Sequence, residues 1–436
     1  MKSLDYIPTK KIARAGNLVT TGLKLGGNYL KYYGEKALKV DGSRERLDKE
    51  NAKDIYNSLK TLKGSALKVA QMLSMEKNLL PRAYVDQFSL AQFSVPPLSW
   101  PLVKKMIRKY LGANPELVFD TFAAQSKNAA SIGQVHQATK DGKKLAVKIQ
   151  YPGVADSISS DLSIVKPIAL RMFNLKGKDT DKYFKEVENK LLEETDYQLE
   201  LKQSQWIADQ CKGIPYLRFP AYYPEYSSEK ILTMDWMEGL HISEYLLAQQ
   251  QDQEMNHRLG QTLWDFYMFQ IHHLKKVHAD PHPGNFLIDE SYNLVALDFG
   301  CVKVIPDDFY NPYFELADLK IEDNPLRFQE ILYELEILKT DDTAEEVVYF
   351  TELFGRLIKV LTLPFTQKEF DFADAVFWGE INSLSETLSS DQRLREMNGN
   401  RGSKHFIYIN RTFFGLYTLL NDLKAKVNTE AFRKYC

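Results

Sequence analysis

Asp280, Asn285 and Asp298 occur within the run LKKVHADPHPGNFLIDESYNLVALDFG, residues 274–300 of a 436-residue chain. Two short apolar runs, Phe286 to Asp289 and Leu294 to Asp298, flank the polar stretch Glu290-Ser291-Tyr292-Asn293. That pattern predicts a β-hairpin, and such a hairpin brings Asn285 and Asp298 together. An amide oxygen and a carboxylate converging there suit Mg²⁺, which takes a few hard oxygen ligands and leaves the rest of its shell to phosphate and water. Asp280 is then the carboxylate that faces the group accepting a phosphoryl unit, and the chemistry is transfer from ATP. Asp-Phe-Gly alone reads as a turn and His-Ala-Asp-Pro alone as a loop. The joint pattern of D-x-x-x-x-N, hairpin and DFG distinguishes the stretch.

Such a site needs elements that hold the nucleotide. Phe119 to Ile149 reads as a twisted sheet, with Ala129, Ala130 and Ser131 entering a hairpin closed by Asp141-Gly142, a pair that tight turns favour. Small side chains at 129–131 let the backbone approach phosphates. The returning strand Leu145-Ala146-Val147-Lys148-Ile149 alternates, placing Lys148 opposite the apolar face, as the strand lysine of kinases is placed. Residues 178–210 read as one long polar helix on which Asp196 and Glu200 share a face and Glu194 points away. Glu200 is the expected partner of Lys148, holding its amine for the α- and β-phosphates. The apolar strand Ile231 to Gly239 suits a hinge whose backbone meets an adenine edge, with Met234 and Met237 in the contact zone.

Composition bounds the rest. With 44% hydrophobic residues and a net charge of −2, the chain can bury a large core and gives no case for nucleic-acid binding. Three separated cysteines suggest neither a disulfide framework nor a zinc site. No signal peptide and no membrane span is expected. The first 40 residues are rich in lysine, and a helical stripe over 10–39 can lie on an anionic membrane surface or pack on its own protein. The localisation expected is cytoplasmic with peripheral membrane contact. His272, His273, His278 and His282 lack a metal-ligand spacing and read as structural, with His278 in the position of the kinase catalytic-loop histidine. A helix from Ser43 to about Met75 carries a stripe through Ile55, Leu59, Leu62 and Ala66, and places Lys68 and Gln71 on one face. Stripes such as Leu259, Leu263, Phe266, Tyr267, Ile271 predict a helix leading into the catalytic loop. After Gly300 no Ala-Pro-Glu follows, and 305–436 reads as several helices without a platform for a peptide substrate.

With Lys68-x-x-Gln71, the Ala129-Ala130-Ser131 loop, Glu194-x-Asp196 and the 280–300 block in order, the chain resembles the UbiB family of atypical kinases, also called AarF or ADCK proteins. The resemblance runs from about residue 55 to 305. It implies a kinase-like fold whose extra N-terminal helix carries a K-x-G-Q motif over the site where a peptide would bind. It also implies ATP binding with ATPase activity, linked to isoprenoid quinone biosynthesis and lipid homeostasis at membranes. The family's regulatory positions fall on Lys68, Gln71, Glu194 and Asp196, with Lys68 and Glu194 expected to pair. Ala70 stands where the family has glycine, and Asn128 where a further alanine is usual.

The reading is therefore an α+β, atypical protein-kinase-like two-lobe fold with an added N-terminal helical extension and a helical C-terminal region. The expected divisions are 1–95, an N-lobe over 96–233, a hinge over 234–240 and a C-lobe over 241–436. The cofactors expected are ATP and Mg²⁺, and the partners a small-molecule or lipid substrate and lipid-biosynthesis enzymes. The alternatives are a conventional protein kinase and a catalytically silent ATP-binding scaffold of a lipid-biosynthesis complex.

Overall fold

The computed structural model describes residues 24, 27–28, 30–36, 42–62, 87, 97–130, 132–172, 180–248, 252–318, 324–390 and 401–435. Two compact units divide them: one holds the described residues up to Leu201 together with Tyr222–Trp236, the other holds Lys202–Ala221 and everything from Met237 onward.

In the first unit, α1 (Ser43–Leu62) buries Leu47, Ala52, Ile55 and Tyr56, which recur at helical spacing. The remainder of the expected stripe, with Lys68 and Gln71, lies outside the described residues, as does most of the basic stretch 10–39. After α2 (Trp100–Leu111) come four antiparallel strands, β1 (Thr121–Phe122), β2 (Asn128–Ala130), β3 (Gly133–Lys140) and β4 (Lys143–Gln150). β3 pairs with β4 around Asp141 and Gly142, whose φ values of 50° and 76° are both positive. That is the two-residue turn whose twist matches the strands it joins, and glycine at its second position adopts it without a Cβ clash. The helices α3 (Val154–Met172) and α4 (Thr180–Glu194) follow, then α5 (Tyr197–Cys211). The chain passes through β5 (Leu217–Arg218) in the second unit and returns as β6 (Ile231–Asp235), which closes the sheet beside β4. Val103, Ile107, Phe119, Val147, Ile149 and Tyr197 form the core here.

Two expectations change. The stretch 178–210 is not one helix: the Thr195 hydroxyl donates to Leu192 O at 2.7 Å and ends α4, and the Asp196 carboxylate accepts from the backbone N–H groups of Gln198 and Leu199 to begin α5. Serine, threonine and aspartate compete for backbone groups in this way and favour helix ends over helix interiors. The break therefore separates Glu194, at the end of α4, from Glu200 on α5, while Asp196 caps α5 and its carbonyl accepts from the Glu200 N–H at 3.0 Å. The second change concerns 202–221, placed by sequence in the N-lobe range 96–233. β5 pairs in parallel with a strand of the second unit, Leu217 opposite Leu294, and the segment packs there.

The second unit begins with β7 (Leu240–His241) and α6 (Gln253–Met268), whose Leu259, Leu263, Trp264, Phe266 and Tyr267 are fully buried. A six-residue π-turn, Phe269–Leu274, leads to β8 (Lys276–His278). The hairpin of β9 (Phe286–Ile288) and β10 (Leu294–Ala296) forms where the sequence places it. β11 (Val302–Val304) returns antiparallel to β8, a pairing too short for sequence pattern to reveal. The rest is helical as expected, α7 (Asp307–Asp318), α8 (Pro325–Glu334), α9 (Ala344–Thr362), α10 (Ala375–Ser390) and α11 (Lys404–Asp422), with one unforeseen ladder between β12 (Glu369–Asp371) and β13 (Lys426–Asn428). Among the described residues no helix is long and apolar enough to cross a membrane.

The start of α11 is fixed by a buried ion pair. Arg401 Nη1 lies 2.6 Å from Asp342 Oδ2, the side chains being 2% and 4% exposed, and the guanidinium stacks 3.8 Å from the Phe350 ring centroid. Gly402 and Ser403 donate backbone N–H groups to the carbonyls of Glu336 and Leu335. Removing one partner of such a pair strands the other charge. Asp342→Ala is expected to lower stability by about 3–5 kcal/mol in urea unfolding, whereas a loss below about 1 kcal/mol would show that the apolar packing alone anchors the helix.

Candidate active site

In the first unit the charged pair expected to hold the nucleotide centres on Lys148. β4 is buried on both faces from Leu145 onward, so Lys148 is only 6% exposed. Its Nζ donates to Glu200 Oε1 at 2.7 Å and lies 5.0 Å from the Tyr197 ring centroid. The expected Lys148–Glu200 pair is present, and Tyr197, which sequence reasoning passed over, forms its floor. The position of Glu200 follows from the break at Thr195. Gln150 Nε2 and Lys230 Nζ both donate to the Thr195 carbonyl, at 2.9 and 3.2 Å, and so capture a peptide group that the helix end leaves without an intrahelical donor. Glu194 closes α4, and Asp196, exposed, serves as the cap of α5. Ala129 and Ala130 pair through β2 with Gln134 and Gly133. Ser131 lies outside the described residues. Met234 sits in β6 opposite Ala146 and is 9% exposed, while Met237 opens the second unit and is half-buried.

In the second unit the catalytic-loop residues are drawn together by backbone. Ala279 donates its N–H to Cys301 O and extends the β8–β11 ladder past His278. The His278 N–H goes to the buried Gln270 side chain, which in turn donates to Phe266 O, so the π-turn is tied to the loop it precedes. The Asp280 carbonyl accepts twice, from the His282 N–H at 2.8 Å and from Asn285 Nδ2 at 2.9 Å. That second bond fixes which way the Asn285 amide faces: its nitrogen is turned to the loop. Leu297 N–H donates to Asn285 O at 3.0 Å, which sets Asp298 one residue from Asn285's backbone, and Asp298 Oδ1 accepts from Gly300 N–H at 2.9 Å. One amide and one carboxylate are hard oxygen donors of the kind Mg²⁺ prefers. Among the described residues no group of three or more His, Cys, Asp or Glu side chains is arranged to hold a metal, so an ion here would complete its shell with phosphate and water.

One residue at this site carries no sequence signal. Arg411, on α11, places Nη2 3.4 Å from Asp280 Oδ1 across 131 positions of chain. Below the loop lies the fully buried Tyr267, whose phenol is pushed well up in pKa by burial and then by the nearby Asp280 and Cys301.

The sequence profile of the ABC1 atypical kinase-like domain matches residues 90–331, more than half of the chain. The chain belongs to the ABC1 atypical kinase family. The resemblance to UbiB, AarF and ADCK proteins is thereby borne out. Relatives of this ABC1 chain include the Saccharomyces cerevisiae protein Atypical kinase COQ8, mitochondrial, 30% identical over 88% of this chain and 75% of its own length. The Rattus norvegicus Atypical kinase COQ8B, mitochondrial, is 27% identical over 88% and 73%. The Arabidopsis thaliana protein Activity of BC1 complex kinase 8, chloroplastic, is 30% identical over 66% of this chain, which spans only 39% of the plant protein. Among solved structures, Rv3197 of Mycobacterium tuberculosis, determined as a complex with erythromycin, aligns with a TM-score of 0.60 at 24% identity over 90% of this chain and 97% of its own. The kinase-like mixed fold expected from sequence is confirmed.

His272 gives the ABC1 chain a titration with a defined sign. It sits in the π-turn, buried, with Nδ1 2.7 Å from the Tyr310 hydroxyl, and burial followed by nearby Lys275 lowers its pKa to about 3. The unfolded imidazole titrates near 6.5, so below that pH the unfolded state binds the extra proton and the folded state does not. Stability present above pH ~6.5 is lost progressively down to pH ~3, at roughly 1 kcal/mol per pH unit. His272→Gln should flatten the pH dependence of the urea midpoint across that window; an unchanged slope would place the responsible group elsewhere.

Proposed function

We propose that this chain is an Mg²⁺-dependent ATPase or small-molecule kinase. Lys148, held by Glu200, takes the α- and β-phosphates. Asn285 and Asp298 hold the metal, and Asp280 faces the acceptor. The observation that carries this reading is the doubly bonded Asp280 carbonyl, which orients Asp280 and Asn285 together beside the residue preceding Asp298. Bound Mg²⁺ would neutralise charge on the transferring phosphoryl group.

A small or lipid acceptor is favoured over a peptide. Gly300 is followed within a few residues by β11 and then by α7 from Asp307, which leaves little chain for a docking platform. The family resemblance points to isoprenoid quinone or membrane-lipid chemistry, with lipid-biosynthesis enzymes as partners and peripheral membrane contact through the basic N-terminal residues. The intact set of Lys148, Asp280, Asn285 and Asp298 argues against a silent scaffold.

The metal assignment is tested by thermal shift. Mg-ATP at a hundred times its Kd should stabilise the parent by about 2.7 kcal/mol, and Asp298→Asn should abolish that gain because it removes the charge that compensates the ion. Equal stabilisation of parent and variant would overturn the assignment. A second measurement addresses the acceptor: transfer from labelled ATP to generic protein substrates is expected to be absent. Robust transfer that disappears in Asp280→Asn would establish the conventional protein-kinase reading instead.

A further inference from the structure

α11 lies against the catalytic loop along one face. Tyr408, Arg411 and Gly415 recur at spacings of three and four and so share that face. Tyr408 receives the Lys303 ammonium, 5.0 Å from its ring centroid, and Lys303 belongs to β11, the strand that follows Gly300. Arg411 reaches Asp280. Gly415 meets Pro281, the next residue of the loop: a Cβ at 415 would collide with Pro281 Cγ and lie 3.2 Å from its carbonyl oxygen. The missing side chain is what allows the helix to approach the loop closely. Asn410, on the neighbouring turn, accepts from the Tyr313 hydroxyl of α7 at 2.8 Å and holds the helix on its other side.

From this arrangement we infer that Arg411 is a positioning residue for the phosphoryl step, so that the helix 404–422 is a working part of the active site and not only a support for the core. The inference rests on the proposed role of Asp280. In the reaction the acceptor O–H proton passes to Asp280 as the acceptor oxygen bonds the γ-phosphorus and the bond from that phosphorus to the ADP oxygen breaks. For this the carboxylate must be held in a fixed orientation toward the acceptor. Arg411 meets that demand through its contact with Oδ1, made from a side chain 20% exposed against a carboxylate 25% exposed, where the pair is still wetted and its desolvation cost modest.

The experiment compares steady-state ATP turnover of full-length parent, Asp280→Asn, Arg411→Met and Gly415→Ala, each checked for its thermal midpoint, with and without millimolar guanidinium. Arg411→Met should lose roughly a hundredfold in kcat, the cost of misplacing a catalytic group by about an ångström, at nearly unchanged KM for ATP. Guanidinium should restore part of that loss, and should restore nothing in Asp280→Asn. Gly415→Ala, which pushes the helix from Pro281, should lower kcat in the same direction. Parental kcat in Arg411→Met beside an impaired Asp280→Asn would overturn this inference alone. A loss in Arg411→Met that tracks a fallen midpoint and ignores guanidinium would assign the residue a merely structural role and overturn it equally. Parental turnover in Asp280→Asn would overturn the functional reading, and this inference with it.

Discussion

The β9–β10 register governs the catalytic half of this protein. Phe286 lies opposite Ala296, so the residues just outside the ladder, Asn285 on one strand and Leu297 with Asp298 on the other, must be neighbours. Because β9 and β10 are buried at all three positions each, no alternation of polar and apolar residues selects that register. The tip selects it: the Asp289 carboxylate accepts from the backbone of Ser291 and Asn293 and from the Asn293 side chain. A local turn chemistry thus fixes the separation of two residues thirteen positions apart, and the candidate metal pair results from strand pairing that any kinase-like sequence could dedicate to packing alone.

Much of this was legible because it is local. The hairpin, the Asp141-Gly142 turn, the alternating strand carrying Lys148 and the stripe of α6 are each encoded within a dozen residues, and each forms where its pattern lies. Where sequence reasoning failed, a competing local bond won. Helical periodicity ran unbroken across 178–210, yet Thr195 and Asp196 use their side chains on backbone groups and divide it, so the geometry argued from one continuous helix does not apply to Glu194. Arg411 and the β8–β11 ladder were illegible for another reason. Three residues carry no readable period, and an arginine in a helix is ordinarily solvated; only the tertiary fold brings position 411 to position 280. The expected Lys68–Glu194 pair falls outside the described residues on its Lys68 side.

The two charged pairs, one in each unit, differ in kind. Lys148 and Glu200 are 7% and 3% exposed in side chain, and at that depth each charge leans on the other, with the Tyr197 ring adding to the compensation of the ammonium. Arg411 and Asp280 keep a fifth to a quarter of their surface in water. A buried pair fixes geometry at the expense of exchange, which suits the role proposed for Lys148, an amine that remains in one place. A partly wetted pair can trade partners, which suits the role proposed for Asp280, a carboxylate that takes up a proton and gives it up again within each turnover.

The anchoring of α11 extends that argument to the far end of the chain. The buried Arg401–Asp342 pair and the backbone bonds of Gly402 and Ser403 fix the helix at its N-terminal end, and Pro281 against Gly415 fixes it three turns later. Arg411 lies between those points. A long flexible side chain ordinarily loses rotamer freedom when it forms an exposed ion pair, which is why most such pairs contribute little. Here the backbone from which Arg411 projects is held on both sides, by the core at its N-terminal end and by Pro281 of the loop at Gly415, so the entropy that remains to be lost is that of the side chain alone. On the proposed reading Asp280 draws its orientation from a helix whose N-terminal end is set by the core, and substitutions at 342 or 401 reach Asp280 through that helix without touching the loop.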